Sequence, residues 1–87
     1  MKYTIVFSRS AEKQLEAVPK DDLKKIAKRI DKLQQDPFPL GHEKLSGKED
    51  LYRIRQGNFR VIYSVEGKKL IILILKIGHR REIYRSF

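Results

Sequence analysis

The sequence predicts an α+β fold in which two helices pack on one face of a small, mainly antiparallel sheet of four strands. Two observations support this prediction. Apolar residues recur with helical spacing in the first half of the chain, and three runs rich in branched and aromatic residues fill the second half. The predicted order is β-α-α-β-β-β. Because 87 residues have room for one hydrophobic core, we expect a single domain over residues 1–87.

The first half of the chain contains a short strand and the first helix. Residues 3–7 alternate in the pattern of a strand. Ser8 or Ser10 can cap the following helix, which ends near Pro19 because proline disrupts a helix interior. The apolar face of this helix is formed by Ala11, Leu15 and Val18.

The second helix has a continuous apolar stripe. Asp21 is a good N-cap, and the prolines in residues 36–39 end the helix. The spacing i, i+3, i+4, i+7, i+10 places one side of the helix against the core. The residues of this stripe are Leu23, Ile26, Ala27, Ile30 and Leu33. Residues 40–50 are mostly polar and predict a loop.

Three further strands follow this loop. Leu51 to Gln56 and Phe59 to Val65 form a hairpin around a two-residue turn, Gly57-Asn58. Leu70 to Leu75 is apolar at every position, which is typical of a strand with neighbours on both sides. We expect this strand to end at Gly78, and residues 79–87 to form a basic tail that adds a short strand or helical turn.

The charge distribution favours a polyanionic partner. The chain has 20 Lys and Arg against 11 Asp and Glu, a net charge of +9. Residues 1–50 contribute +2 of this and residues 51–87 contribute +7. A basic half of a small domain is typical of nucleic-acid binding. Two alternatives stay open, an acidic protein partner and a basic surface that serves only solubility.

Several functional classes are excluded by composition. The absence of Cys excludes a disulfide framework and favours a reduced, intracellular setting, so we expect a cytoplasmic protein. Two histidines, His42 and His79, are too few for a His-rich metal site, and we expect neither metal nor other cofactor. The longest apolar run is much shorter than a membrane span, so we expect no membrane partner.

The predicted hairpin places like charges opposite each other. Counting from the turn, Arg55 faces Arg60, and Arg53 lies on the same side of the sheet. Directly opposed arginines are unfavourable for folding, and an anion between them removes the penalty. Guanidinium groups suit phosphate oxygens in particular. The alternatives are that the arginines splay into water or that one of them pairs with Glu82 or Glu66.

The segment after the third of these strands adds candidates. It can bring His79, Arg80 and Tyr84 to the edge of the same face. A histidine can exchange a proton near neutral pH, and a tyrosine can stack on a base or hold a hydroxyl group. The alternatives are a structural role for His79 and core packing for Tyr84.

With these residues, the sequence resembles the RelE-type toxins of the RelE/ParE superfamily of toxin–antitoxin systems. The resemblance covers nearly the whole chain. Its most specific part is the segment YRIRQGNFRVIY at residues 52–63, and the ending GHRREIY at residues 78–84 favours RelE over ParE. FSRSA at residues 7–11 and KLSG at residues 44–47 also contribute.

The resemblance implies a ribosome-dependent endoribonuclease that cuts mRNA in the ribosomal A site. The 2′-OH of the RNA attacks the adjacent phosphate, and no metal is needed. By matching the motif, the catalytic residues are Arg55, Arg60, Arg80 and Tyr84. The residues predicted to bind RNA are Arg53, Lys44, His79, Arg81 and Arg85.

One position departs from the family pattern. Some relatives have Lys in the first hairpin strand where this chain has Arg53 and Arg55. Arginine stabilises charge but is a poor general base, because its pKa lies above about 12. We therefore assign proton transfer to His79 or Tyr84.

The resemblance also implies partners and leaves other functions open. A RelE-type toxin implies a RelB-like antitoxin that wraps the helices, the ribosome with its mRNA, and operator DNA bound through the toxin–antitoxin complex. The first alternative is a ParE-like, non-enzymatic inhibitor of DNA gyrase. The second is a relic of a toxin that retains only antitoxin binding.

Overall fold

The structure, a computed structural model, describes residues 2–45, 47 and 50–83. These residues form helices and strands around one hydrophobic core. The helices are α1 (Arg9–Glu16) and α2 (Lys20–Leu33). The strands are β1 (Thr4–Phe7), β2 (Glu43–Lys44), β3 (Leu51–Gln56), β4 (Phe59–Glu66) and β5 (Ile71–His79).

The sheet is mixed, and its order is β1-β5-β4-β3-β2. The α+β class with two helices is confirmed, but the prediction of four strands is wrong because β2 adds a fifth within the expected loop. Both residues of β2 are charged and exposed, so they show no apolar alternation that would indicate a strand. β1 pairs in parallel with β5, and the other pairs are antiparallel. As predicted, β5 has a neighbour on each side.

The first helix begins at a side-chain cap. Ser8 is the N-cap, and its Oγ accepts a hydrogen bond from the backbone N–H of Ala11 at 3.0 Å. The same hydroxyl donates to the carbonyl oxygen of Leu75 in β5 at 2.9 Å. Of the two predicted caps, Ser8 is therefore the one used, and it also ties α1 to the central strand.

The second helix starts earlier than predicted. Its N-cap is Pro19 rather than Asp21, and no side chain caps it. Asp21 instead lies in the first turn, where a carboxylate is favoured by the positive end of the helix dipole. Ala27 is exposed, although the predicted stripe included it. It lies roughly a quarter turn from the line of Ile26, Ile30 and Leu33, which are buried.

The core lies between the helices and one face of the sheet. β3, β4 and β5 contribute fully buried residues to this face, and β1 adds partly buried ones. The largest buried side chain is Tyr63, whose hydroxyl donates to the carbonyl oxygen of Pro37 at 2.7 Å. Burial raises the pKa of Tyr63 well above its ordinary value. This bond fixes the proline-containing segment after α2 against the sheet.

The end of the sheet differs from the prediction at two points. Leu70 has φ of +55° and precedes β5, which runs from Ile71 to His79 and so includes Gly78. Residues 80–83 form a turn after the strand. In the described part of the chain, neither helix is long and apolar enough to cross a membrane.

Candidate nucleic-acid interface

The predicted hairpin register is confirmed at every pair. Arg55 pairs with Arg60, and Arg53 pairs with Ile62. Gly57 has φ of +59°, a conformation that glycine adopts without strain. The residues that alternate with the arginines, among them Ile54 and Val61, face the core. Arg53, Arg55 and Arg60 therefore share the side of the sheet away from the helices, which we call the arginine face.

A carboxylate that no sequence pattern indicated lies among these arginines. Glu43 pairs with Arg53 in the β2–β3 ladder, so both side chains lie on the arginine face. The Glu43 Oε2 atom is 2.5 Å from Arg53 Nη2, and Oε1 is 3.4 Å from Arg55 Nη2. The ion-pair partner of Arg55 is thus Glu43, not Glu82 or Glu66. The register of a two-residue strand cannot be counted from a turn, so the sequence did not reveal this pair.

Arg60 is held by the hairpin turn. Its Nη1 atom donates to the carbonyl oxygens of Gly57 at 3.0 Å and Phe59 at 2.9 Å. Arg55 and Arg60 are therefore opposed along the backbone, while their guanidinium groups interact with different acceptors. These carbonyl contacts orient the guanidinium of Arg60 at the turn end of the arginine face.

The arginine face is partly covered. Ile62 lies on it and is fully buried, yet it does not belong to the main core cluster. Gly78 pairs with Arg60, so a Cβ atom at this glycine would point to the same side, where it would lie 3.4 Å from Ile83 Cδ1. The turn after β5 therefore folds over this face and buries Ile83. The arginine face is therefore covered at this end of β5, since Gly78 lets the chain pass closely.

The turn after β5 places two further arginines near this region. The backbone N–H of Arg80 donates to the carbonyl oxygen of Asn58 at 2.7 Å, which joins the turn at residues 80–83 to the hairpin turn. Arg80 therefore lies at the same end of the sheet as Arg55 and Arg60, and its side chain is exposed. Arg81 is also exposed, and its N–H donates to Nδ1 of His79 at 3.2 Å.

Two predicted RNA-binding residues lie on the other side of the sheet. His79 pairs with Phe59, its ring centroid is 5.9 Å from that of Phe59, and Phe59 packs against the core. Lys44 pairs with Tyr52, which also packs against the core. The expectation that His79 reaches the arginine face is wrong, because one residue of strand alternation moves a side chain to the opposite face.

His79 instead borders a cleft at the edge of β5. The cleft has a volume of about 380 Å³ and lies beyond the end of β1, between α1 and the turn at residues 80–83. Gln14 closes part of this edge, since its Oε1 accepts a hydrogen bond from the N–H of Ile77 at 2.8 Å. The cleft borders the arginine face, because Gly78 and Ile83 also line it.

Tyr84 and Arg85, two of the predicted site residues, lie outside the described residues. In residues 2–45, 47 and 50–83, no group of three or more acidic or histidine side chains could hold a metal ion. What this part of the chain offers an anion is therefore a set of guanidinium groups, with one carboxylate among them.

Comparison with known proteins gives the family. Residues 5–84 match the family model described as ParE toxin of type II toxin–antitoxin systems, parDE. A protein of Methanocaldococcus jannaschii that carries the name RelE1 is 34% identical over 99% of this chain and 99% of its own length. These matches extend over nearly the whole chain.

Solved structures agree with the sequence comparisons. The chain in an archaeal RelE–RelB complex from Pyrococcus horikoshii OT3 superimposes with a TM-score of 0.82, at 36% identity, over 94% of this chain and 99% of that one. A chain in the RelB–RelE antitoxin–toxin complex from Methanococcus jannaschii gives 0.75 at 30% identity, over 94% and 98%. The chain therefore belongs to the RelE/ParE superfamily of type II toxin–antitoxin systems, as a toxin of the RelE type.

Proposed function

We propose that this protein is a ribosome-dependent endoribonuclease that cleaves mRNA in the ribosomal A site without a metal ion. The observation that supports this most is the grouping of Arg53, Arg55 and Arg60 on one face of the sheet, in a chain that belongs to the RelE/ParE superfamily. Guanidinium groups bind phosphate oxygens and stabilise the charge that develops during cleavage.

The proposed chemistry uses a nucleophile that the RNA itself supplies. The 2′-oxygen attacks the adjacent phosphorus and forms a bond to it, while the bond from phosphorus to the 5′-oxygen of the next nucleotide breaks. The products are a 2′,3′-cyclic phosphate and a 5′-OH. One proton leaves the 2′-OH and one arrives at the departing 5′-oxygen. The protein must therefore neutralise a pentavalent phosphorane and assist both proton transfers.

The positions of the described arginines support the roles that we propose. Arg55 and Arg60 bind the scissile phosphate and stabilise the transition state, and Arg80 supports the departing oxygen from the same end of the sheet. Arg53 and Arg81 bind the backbone on either side. Because His79 lies on the helix side, we assign proton transfer to Tyr84 rather than to His79. Arg85 remains a predicted RNA-binding residue.

The proposed partners extend from this activity. Relatives have been solved in complex with RelB antitoxins, and we propose an antitoxin of that kind for this chain. It would block the arginine face or alter it, and the complex would bind operator DNA. The toxin would act in the cytoplasm, where it meets ribosomes and mRNA.

A second candidate is favoured by the family model, whose description names ParE toxins. A ParE-like toxin would inhibit DNA gyrase and cleave nothing. Such a protein would use the same basic surface to contact a protein target.

Expression in a host cell, followed by primer extension on mRNA, separates these functions. The nuclease predicts growth arrest with breaks phased to codons. Arg60→Ala and Arg80→Ala should restore growth, because loss of one such electrostatic contact lowers the rate by roughly 10²- to 10³-fold. Lys68→Ala is the matched control, since Lys68 is an exposed cation in the turn after β4. It should remain toxic.

Three outcomes would contradict the proposal. Intact mRNA together with DNA-damage signalling would favour the gyrase inhibitor. If Arg60→Ala and Arg80→Ala both stay fully toxic and unfold at the same temperature as the wild type, the site is misassigned. Absence of any growth defect in the wild-type protein would favour a relic that retains only antitoxin binding.

A further inference from the structure

The carboxylate of Glu43 occupies a position on the arginine face that a phosphate would also favour. It contacts Arg53 at 2.5 Å and Arg55 at 3.4 Å, one through each carboxylate oxygen. A phosphodiester group likewise presents two oxygens and one negative charge to neighbouring guanidinium groups. The protein therefore carries an anion of its own beside two residues to which we assign RNA binding.

The two contacts of Glu43 differ in strength. The side chain of Arg53 is only 12% exposed, so the arginine side of this short pair is shielded from water. The side chains of Arg55 and Glu43 are 56% and 57% exposed. An ion pair in such an exposed position contributes little, because water and salt screen it. The contact to Arg55 is thus the one that a competing anion can break at low cost.

The backbone around Glu43 also lets the carboxylate move away from Arg55. β2 has only two residues and forms the outer edge of the sheet. In the ladder with β3, Glu43 pairs with Arg53 and Lys44 pairs with Tyr52. The carboxylate can therefore leave Arg55 by side-chain rotation, without disturbing the central strands.

We propose that Glu43 is an internal competitor that occupies Arg55 in the uncomplexed toxin and releases it to a phosphate of the RNA backbone. This inference rests on the proposed function, since it concerns the same arginine face. It makes Glu43 an autoinhibitory residue: the part of the population in which Glu43 holds Arg55 binds RNA less tightly, which lowers the apparent affinity.

The exchange has two measurable consequences. Removing the carboxylate should increase RNA affinity about two- to fivefold, the range expected for an exposed ion pair. The salt dependence should also change. In the wild type, Glu43 regains a counterion when the phosphate loses one, so fewer ions are released overall. Without the carboxylate, the slope of log K against log salt should steepen by up to about 0.7.

The test uses Glu43→Gln in the full chain. The probe is a short RNA oligonucleotide with 2′-O-methyl groups, which cannot be cleaved, and its binding is measured by fluorescence anisotropy between 50 and 250 mM KCl. Glu66→Gln is the matched control, because Glu66 is also an exposed strand carboxylate. It lies six residues from Arg60 along β4, about 20 Å away and beyond the screening length.

The expected result is tighter binding and a steeper salt slope for Glu43→Gln, with Glu66→Gln equal to the wild type. Equal gains in both variants would reflect net charge alone and would overturn the exchange. Unchanged or weaker binding by Glu43→Gln would also overturn it, and weaker binding would mean that Glu43 holds the arginines for RNA. If none of the three proteins binds the oligonucleotide, the exchange is overturned, whereas the ribosome-dependent activity is decided separately by the primer-extension experiment.

Discussion

Replacing Tyr63 by phenylalanine tests how the segment after α2 is fixed to the sheet. Tyr63 is fully buried, and its hydroxyl donates to the carbonyl oxygen of Pro37 at 2.7 Å. Tyr63→Phe keeps the ring and removes this bond, which leaves a buried carbonyl without its donor. The expected loss at neutral pH is about 1–2 kcal/mol of unfolding free energy. For a domain of this size, each kcal/mol corresponds to a fall in Tm of roughly 4–8 °C.

The same residue predicts a dependence on alkaline pH. Burial raises the pKa of Tyr63 in the folded state, whereas an unfolded tyrosine has a pKa of about 10. The folded state therefore holds the proton more tightly. This contribution to stability is fully present below pH 10 and is lost as the pH rises toward the folded pKa. Between pH 10 and the folded pKa, the wild type should lose stability through this group by up to about 1.4 kcal/mol per pH unit.

Urea unfolding of both proteins at pH 7, 9, 10 and 11 measures the difference directly. The titration of the lysines and of the other tyrosines cancels in this comparison. We expect Tyr63→Phe to be less stable at pH 7 and 9, and the difference to shrink toward zero by pH 11. A difference that stays constant from pH 7 to 11 would refute the reasoning, because it would mean that Tyr63 ionises equally in both states.

Two further predictions concern the ends of structural elements. Ser8→Ala removes both the cap of α1 and the hydrogen bond to Leu75, and should lower the free energy of unfolding by about 1–3 kcal/mol, measured by thermal or urea unfolding. Ser10→Ala is the control at an exposed position of the same helix, and should cost less than about 0.5 kcal/mol. Equal losses in the two variants would contradict the assignment of Ser8 as the cap. Gly57→Ala should lower the free energy of unfolding by about 1–2 kcal/mol, because Gly57 has φ of +59°. Gly67 has open space around it and does not have a positive φ, so Gly67→Ala should change stability little. The same loss at both glycines would show that backbone strain at Gly57 is not the cause.

Local patterns predicted the parts of the fold that local chemistry determines. The two-residue turn at Gly57-Asn58 fixed the hairpin by counting, and Arg55 therefore faces Arg60 as expected. The apolar stripe of α2 likewise identified Ile26, Ile30 and Leu33 as buried residues. In each case the information lies in neighbouring residues, so no knowledge of distant contacts is needed.

Features that depend on distant contacts were missed. The pairing of β2 with β3 joins residues that are separated in the sequence, and the two charged residues of β2 carry no pattern of their own. The sequence therefore did not predict that Glu43 pairs with the arginines. The face of His79 depends on the length of β5, which continues past the expected end at Gly78. A strand that extends by one residue reverses the side to which its last residue points.

The most direct test of the proposed activity uses purified protein and ribosomes programmed with a defined mRNA. We expect cleavage in the A site that leaves a 2′,3′-cyclic phosphate and a 5′-OH, without added metal beyond what the ribosome requires. The double variant Arg55→Ala, Arg60→Ala should be slower by at least roughly 10²-fold. Uncut mRNA with the wild-type protein, or cleavage by the folded double variant at the wild-type rate, would contradict the assignment of the arginine face to RNA cleavage.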